Sequence, residues 1–127
     1  DYFMPSIEEA KDMSGQKTAE DCAKFYLDKG ASCCVFTLGG EGAYYAHSDG
    51  TRLASSAYDI KVVDTTGCGD AFDAGFIVAL HHKMDIETAL RFAQTSAGLV
   101  ATGLGSDAGI VSFEDTFKAM KNWKIKS

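Results

Sequence analysis

The ten-residue stretch VDTTGCGDAF at positions 63–72 constrains the fold of this chain more than any other. A short apolar run ends in it, and a long segment with helical apolar periodicity follows it. Gly67 and Gly69 flank one small residue, and glycine allows the backbone to turn tightly. The pattern predicts a strand, a glycine turn, and a helix that starts at Asp70 and continues to about His82.

Such a turn favours the binding of an anion. Its peptide N–H groups and the positive end of the helix dipole act together on a negatively charged ligand. Phosphoryl transfer depends on fixed donors of this kind, because charge on the transferred group must be stabilised. An isolated aspartate at a helix start is most simply an N-cap. Capping alone, however, requires neither Asp64 six residues upstream nor the glycines beside Cys68, so we interpret the stretch as a phosphate site.

The rest of the chain predicts alternating strands and helices. Ser6 and Glu9 have the spacing of a capping box, which predicts a helix to about Met13 with no strand before it. Further predicted elements are a helix at about 18–29, a strand at 32–38, a hairpin at 43–54, a strand at 60–63, and helices at about 86–102 and 112–123. Strands followed by helices over short connections indicate one α/β layered unit.

Composition excludes several classes of function. The 127 residues carry a net charge of −6 and 12 scattered basic residues, so no basic stripe predicts nucleic-acid binding. The sequence shows neither a long apolar membrane segment nor a signal peptide. Because Cys22, Cys33, Cys34 and Cys68 lack the spacing of a zinc site, a metal or redox protein built on them is not supported. Reduced thiols indicate a cytoplasmic protein.

The motif at positions 64–72, D-T-T-G-C-G-D-A-F, resembles the signature D-T-x-G-A-G-D-x-F of the ribokinase-like, or PfkB, carbohydrate kinases. The resemblance implies that Asp70 is the base that takes the proton from the acceptor hydroxyl. It also implies that the amides of Gly67, Cys68 and Gly69 form the anion hole for the transferring phosphoryl group. Cys68 stands where the family usually has alanine, but both residues are small and only the backbone amide is required.

The resemblance extends to the sites of two cations. Asp64 and the Thr66 carbonyl look like the family's monovalent-cation site, which binds K⁺, and the carbonyls of Ala101 and Leu104 would complete it. P-S-I-E-E-A at positions 5–10 is similar to the family's P-N-x-x-E-A, whose glutamate helps to organise Mg²⁺ through water. Glu9 matches that glutamate. Ser6 replaces the asparagine, and a capping box explains both residues equally well.

Nucleotide-binding residues are implied in three places. T-L-G-G-E-G at positions 37–42 resembles the family's T-L-G-x-x-G, which lies near the ATP phosphates and ribose, although a plain glycine turn would give the same pattern. Gln94 stands where the family often has asparagine beside the adenine pocket. The glycine-rich loop at 103–109 resembles the loop that closes the nucleotide site. The implied residues are Thr37, Gly39, Gly42, Gln94, Gly103 and Gly105.

Together these features predict a ribokinase-like three-layer α/β fold with a mainly parallel sheet and a small hairpin. The implied function is ATP-dependent phosphotransfer to a hydroxyl of a sugar or, as second choice, a nucleoside. The beginning of the chain reads like the middle of a protein. We therefore expect residues 1–127 to be the carboxyl-terminal nucleotide- and phosphate-binding part, without the amino-terminal substrate and lid part. Such a piece should be inactive alone, and should associate with itself or with the missing part. The alternative is a non-catalytic nucleotide-binding or interaction module that has kept the kinase fold.

Overall fold

The computed structural model describes residues 2–58, 68–101 and 113–122. The chain divides into two compact units, residues 1–55 and residues 56–127, which we call unit 1 and unit 2. The described elements of unit 1 are β1 Tyr2–Phe3, α1 Ile7–Ser14, α2 Ala19–Asp28, β2 Cys33–Thr37, β3 Ala43–His47 and β4 Arg52–Ser55. Those of unit 2 are α3 Cys68–His81, α4 Ile86–Ala101 and α5 Phe113–Asn122.

The helices of unit 1 begin and end where their capping residues predict. Both hydrogen bonds of the Ser6–Glu9 capping box are present, and Gly15 ends α1 with a left-handed backbone at φ 75°. Thr18 caps α2, since its hydroxyl accepts a hydrogen bond of 3.1 Å from the Asp21 amide. Local side-chain chemistry therefore sets both helix starts.

The sheet of unit 1 has the order β1-β2-β3-β4. β1 pairs parallel with β2, whereas β2–β3 and β3–β4 pair antiparallel. The expectation that no strand precedes α1 is wrong, because Tyr2 lies opposite Cys33 in the parallel pair. Two residues are too few to show strand periodicity in a sequence. The α/β class is as predicted, but the described part of the sheet is mixed, since the hairpin strands belong to it.

The core of unit 1 lies between β2 and the two helices. β2 is buried from Cys33 to Phe36, with at most 2% of any of these residues exposed. This matches the uninterrupted apolar run in the sequence, which is typical of a strand covered on both faces. The cluster against the helices consists of Ile7, Ala10, Cys22, Ala23, Cys34, Phe36 and Ala46. Packing of α1 and α2 thus fixes β2, whose carboxyl end carries Thr37.

In unit 2, α3 and α4 pack closely through small residues. A Cβ atom added to Gly75 would lie 2.8 Å from the Cβ of Ser96 and 3.2 Å from the Cα of Ala93, so the helices approach too closely for a side chain there. Phe72 and Phe76 are buried beside this contact, and their rings are nearly parallel with centroids 6.5 Å apart. The close approach holds the middle of α3 against α4.

Of the two helix starts predicted in the described part of unit 2, one is confirmed and the other is wrong. The start of α4 is confirmed, because the Asp85 carboxylate accepts a hydrogen bond of 2.7 Å from the Thr88 amide. The start of α3 is wrong by two residues, since the helix begins at Cys68 and not at Asp70. The prediction placed the start after Gly69, because glycine is a poor helix former. The predicted strand at 60–63, the loop at 103–109 and the predicted start of the last helix at residue 112 lie outside the described residues.

Among the helices that the structure describes, none has both the length and the apolar character required to cross a membrane.

The Gly75 contact predicts opposite effects of alanine at two glycines of α3. Gly75→Ala should lower the free energy of unfolding by about 1–3 kcal/mol, because its Cβ would overlap Ser96. Gly69→Ala is the matched control, since among the described residues nothing beyond its chain neighbours and its own helix backbone lies within 4 Å of its Cβ position. It should raise the free energy of unfolding by up to about 1 kcal/mol through helix propensity. Urea unfolding followed by circular dichroism measures both, and an unchanged Gly75→Ala variant would contradict the packing described.

Candidate phosphate-binding site

The first turn of α3 is the candidate site in unit 2. It contains Cys68, Gly69 and Asp70, of which Cys68 is half-buried and the other two are exposed. The first four N–H groups of an α-helix have no partner within the helix, and they carry the positive end of its dipole. The turn therefore offers donors to an anion, and Gly69 has no side chain that could obstruct one.

Asp70 is the third residue of α3 and belongs to its first turn. A residue at this position does not cap the helix from outside, so the simplest structural explanation of Asp70 as the N-cap is not what the structure shows. Its side chain is exposed, and within the described residues it makes neither a hydrogen bond nor an ion pair. The carboxylate is therefore open to a ligand that approaches the helix end.

A side-chain hydrogen bond ties the start of α3 to α4. The Cys68 thiol donates to the Ala97 carbonyl, with 3.4 Å between sulfur and oxygen. Sequence reasoning did not find this contact, because nothing in one sequence pairs residues 29 positions apart. The thiol therefore makes a hydrogen bond that alanine, the residue usual in the family at this position, could not make.

Gln94 lies on α4, one turn before Ala97. Only 8% of the residue is exposed. The implied position beside an adenine pocket stays a prediction, because this burial also fits a residue that stabilises the helix pair.

In unit 1 the structure brings together two segments that the resemblance singles out. The Thr37 amide at the end of β2 donates a hydrogen bond of 3.3 Å to the Pro5 carbonyl, and Ser6 and Thr37 form a parallel bridge. Gly39 and Gly42 follow in a 3₁₀ turn with φ angles of 60° and 111°, which glycine adopts without strain. The segment around Pro5 and the T-L-G-G-E-G turn therefore meet at one end of the sheet.

Glu9 stands in the first turn of α1, next to this meeting point. One oxygen of its carboxylate accepts a hydrogen bond of 3.1 Å from the Ser6 amide. The group is exposed, so its other oxygen can reach a water molecule. No set of three His, Cys, Asp or Glu side chains suited to a metal ion occurs among the described residues. A contact of Glu9 with Mg²⁺ through water is compatible with this geometry, and it stays a prediction.

The remaining predicted site residues lie outside the part of the chain that the structure describes, and their roles stay predictions. They are Asp64, Thr66, Gly67, Gly103, Leu104 and Gly105. Ala101 is the last residue of α4.

Comparison with known proteins places these features in a family context. The family model for "pfkB family carbohydrate kinase" matches residues 1–112. Ribokinase from Haemophilus influenzae is 27% identical over 96% of this chain and 41% of its own length. For 2-dehydro-3-deoxygluconokinase from Bacillus subtilis, the identity is 32% over 90% of this chain and 35% of the relative. The chain therefore spans about two-fifths of the length of the curated relatives that it matches.

Solved structures of similar fold agree. Ribokinase from Arabidopsis thaliana, in complex with ribose and ATP, has a TM-score of 0.84 at 27% identity, over 95% of this chain and 41% of that one. A protein from E. coli assigned as ribokinase II, in complex with ATP and Mg²⁺, has a TM-score of 0.86 at 26% identity, over 95% and 39%. The ribokinase-like fold class predicted from the sequence is confirmed.

Burial of the cysteines predicts selective labelling of Cys68. Cys22, Cys33 and Cys34 are almost completely buried, and burial raises the pKa of the Cys34 thiol to about 11. At pH 8 a thiol with that pKa is about one-thousandth thiolate, the form that reacts. Iodoacetamide should therefore alkylate Cys68 at least about tenfold faster than the buried thiols.

Peptide mass spectrometry over a time course of labelling measures these rates. The Cys68→Ala variant should lose the fast phase and keep the slow one. Fast alkylation of Cys34 in the native chain would contradict the burial described for β2.

Proposed function

The chain belongs to the pfkB family of carbohydrate kinases, and on that premise we propose that it supplies the phosphate- and nucleotide-binding part of an ATP-dependent sugar kinase. The observation that carries the proposal is the first turn of α3, where Gly69 and Asp70 are exposed and the helix N–H groups, which have no partner within the helix itself, lie near the Asp70 carboxylate. Oxyanion donors and a carboxylate base are the two groups that phosphoryl transfer to a hydroxyl requires.

In the proposed reaction, Asp70 accepts the proton of the acceptor hydroxyl. The acceptor oxygen then forms a bond to the γ-phosphorus of ATP, and the bond from that phosphorus to the bridging oxygen breaks to release ADP. The amides of Gly67, Cys68 and Gly69 stabilise the charge on the transferred group. Since this transition state is loose, positioning and electrostatic stabilisation contribute most of the rate enhancement.

Two cations complete the proposal. Mg²⁺ would neutralise charge on the ATP phosphates, and Glu9 would contact it through water, because the capping box engages only one oxygen of that carboxylate. The E. coli structure with ATP and Mg²⁺ supports this choice of metal. A monovalent cation, K⁺, would lie beside Asp64 and the carbonyl oxygens of Thr66, Ala101 and Leu104.

A sugar is the preferred acceptor. The named relatives act on ribose or on 2-dehydro-3-deoxygluconate, and the Arabidopsis structure holds ribose together with ATP. A nucleoside is the second choice. Because the chain spans about two-fifths of these relatives, we propose that the acceptor pocket belongs to the rest of the catalytic unit and that this chain alone does not turn over.

The incomplete span also favours a second candidate, a nucleotide-binding module without catalysis. A module of this kind has no need of a carboxylate at the third position of α3. The two candidates therefore differ in the consequence of removing that charge.

Asp70→Asn separates binding from chemistry. The 127-residue chain should bind ATP with Mg²⁺ in isothermal titration calorimetry. Asp70→Asn should bind at least as tightly, because it removes a negative charge near the phosphates. In a chimera with this chain in place of the matching part of H. influenzae ribokinase, Asp70→Asn should lower ribose phosphorylation by about a hundredfold or more.

The isolated chain incubated with ATP and a panel of sugars and nucleosides is the control for completeness, and it should give no product. Rapid product formation would refute the incompleteness of the acceptor site. Retention of full turnover in Asp70→Asn would refute Asp70 as base. Absence of ATP binding by the native chain would reject both candidate functions.

An exposed apolar stripe on α3 supports association with a further protein surface. Ala74, Ile77 and Val78 are exposed, and Ile77 retains 61% of its accessible surface. Residues 74 and 77–78 lie one turn apart and share one face of the helix. Along this face Asp70 lies towards the amino end and His81 towards the carboxyl end, so two antiparallel copies of α3 would place the Asp70 carboxylate of one copy beside the His81 imidazole of the other. We propose that the isolated chain self-associates through this stripe.

Ile77→Lys should weaken this self-association, because it places a charge in the apolar contact. Met13→Lys is the matched control, since Met13 is also 61% exposed but lies on α1. Sedimentation equilibrium at increasing concentration should show a dimer for the native chain and for Met13→Lys, and a monomer for Ile77→Lys. A monomeric native chain, or an Ile77→Lys variant that still dimerises, would contradict the proposal.

A further inference from the structure

A buried pair of hydroxyls connects Tyr58 to α4. Tyr58 is 4% exposed and Thr95 is fully buried, and their side-chain oxygens lie 3.0 Å apart. The Thr95 oxygen also lies 2.9 Å from the Arg91 carbonyl oxygen, one turn earlier on the same helix. Two hydroxyls and a carbonyl thus form a continuous chain of hydrogen bonds in the interior of unit 2.

The direction of these bonds follows from their chemistry. A carbonyl oxygen only accepts, so the single hydroxyl hydrogen of Thr95 is donated to Arg91. The Thr95 oxygen is then the acceptor for Tyr58, whose O–H is the donor. Loss of the Tyr58 hydroxyl would therefore remove one bond and leave the helix bond of Thr95 in place.

A second tie lies within the same turn of α4. The thiol of Cys68 donates to the carbonyl of Ala97, two residues after Thr95. Tyr58 lies ten positions before Cys68 in the chain, and the side chains of both residues bond to one turn of α4. One tie joins two hydroxyls and the other joins a thiol to a carbonyl, and both end on the same short stretch of α4.

We propose that Tyr58 and Thr95 are positioning residues for the phosphate site at the start of α3. Their buried hydroxyl pair and the Cys68–Ala97 bond act together as a two-point clamp, which fixes the first turn of α3 relative to α4. The inference rests on the proposed function, because it assigns to these residues the orientation of the helix N–H groups that bind phosphate. Neither residue contacts the ligand.

A plain structural role is the competing explanation, because every buried hydrogen bond contributes to stability. Two readouts distinguish the roles. The first is the dissociation constant for ATP with Mg²⁺. The second is the alkylation rate of Cys68 without nucleotide, which reports directly on the tie between α3 and α4. A residue that only stabilises unit 2 would change its melting temperature and leave both readouts unchanged.

The test uses the 127-residue chain, four single variants and the double variant with Tyr58→Phe and Thr95→Val. Tyr58→Phe and Thr95→Val each remove one hydroxyl with little change of shape, whereas Thr95→Ser keeps the hydroxyl. Thr116→Val is the matched control, because Thr116 is another fully buried threonine of unit 2, on α5. Isothermal titration calorimetry gives the ATP affinity, and mass spectrometry gives the Cys68 rate.

Tyr58→Phe and Thr95→Val should each raise both the ATP dissociation constant and the Cys68 rate by about fivefold, the equivalent of one hydrogen bond. The double variant should be no worse than the stronger single variant, because both changes break the same bond. Thr95→Ser should resemble the native chain, and Thr116→Val should lower only the melting temperature.

Unchanged ATP affinity and an unchanged Cys68 rate in Tyr58→Phe would overturn the clamp. If the native chain fails to bind ATP, the proposed function fails, and the Cys68 rate still decides whether Tyr58 positions α3. A faster Cys68 rate with unchanged ATP affinity would refute the link from the clamp to the phosphate site.

Discussion

The N–H groups in the first turn of α3 have no hydrogen-bond partner inside their own helix, and the functional account depends on this constraint. Every α-helix has such groups, so they become a site only where the backbone is accessible and its position is fixed. Here Gly69 leaves the turn uncovered, Gly75 lets α3 lie directly against α4, and Cys68 bonds to the Ala97 carbonyl. Asp70 then projects from a helix end that is anchored along its length.

Local chemistry explains which parts of the fold were predictable from the sequence. The capping residues Ser6, Thr18 and Asp85 place three helix starts correctly, because a cap acts on amides two or three residues away. The uninterrupted apolar run of β2 also predicts a buried strand directly from the sequence. By contrast, β1 is too short to show a period, and the start of α3 is hidden because glycine disfavours helix. The Tyr58–Thr95 and Cys68–Ala97 contacts depend on tertiary packing, which one sequence does not reveal.

The candidate site, like the fold, was predictable from the sequence only in part. Motif resemblance singled out the turn before α3 and two segments, around Pro5 and Thr37, which the structure brings together. The functional roles of these residues stay predictions. The resemblance could not establish the acceptor, because relatives that act on ribose and on 2-dehydro-3-deoxygluconate share the matched part. A region common to kinases with different acceptors is suited to bind what they share. The proposed ligand of the described chain is therefore ATP rather than the sugar.

The most direct measurement of the central claim is a titration of the ¹⁵N-labelled chain with ATP and Mg²⁺, followed by amide chemical shifts. The account predicts that the largest shift changes occur at the amides of Cys68, Gly69 and Asp70, with smaller changes along the rest of α3. Inorganic phosphate should shift the same amides more weakly. Shift changes confined to other parts of the chain at saturating ATP would contradict the account.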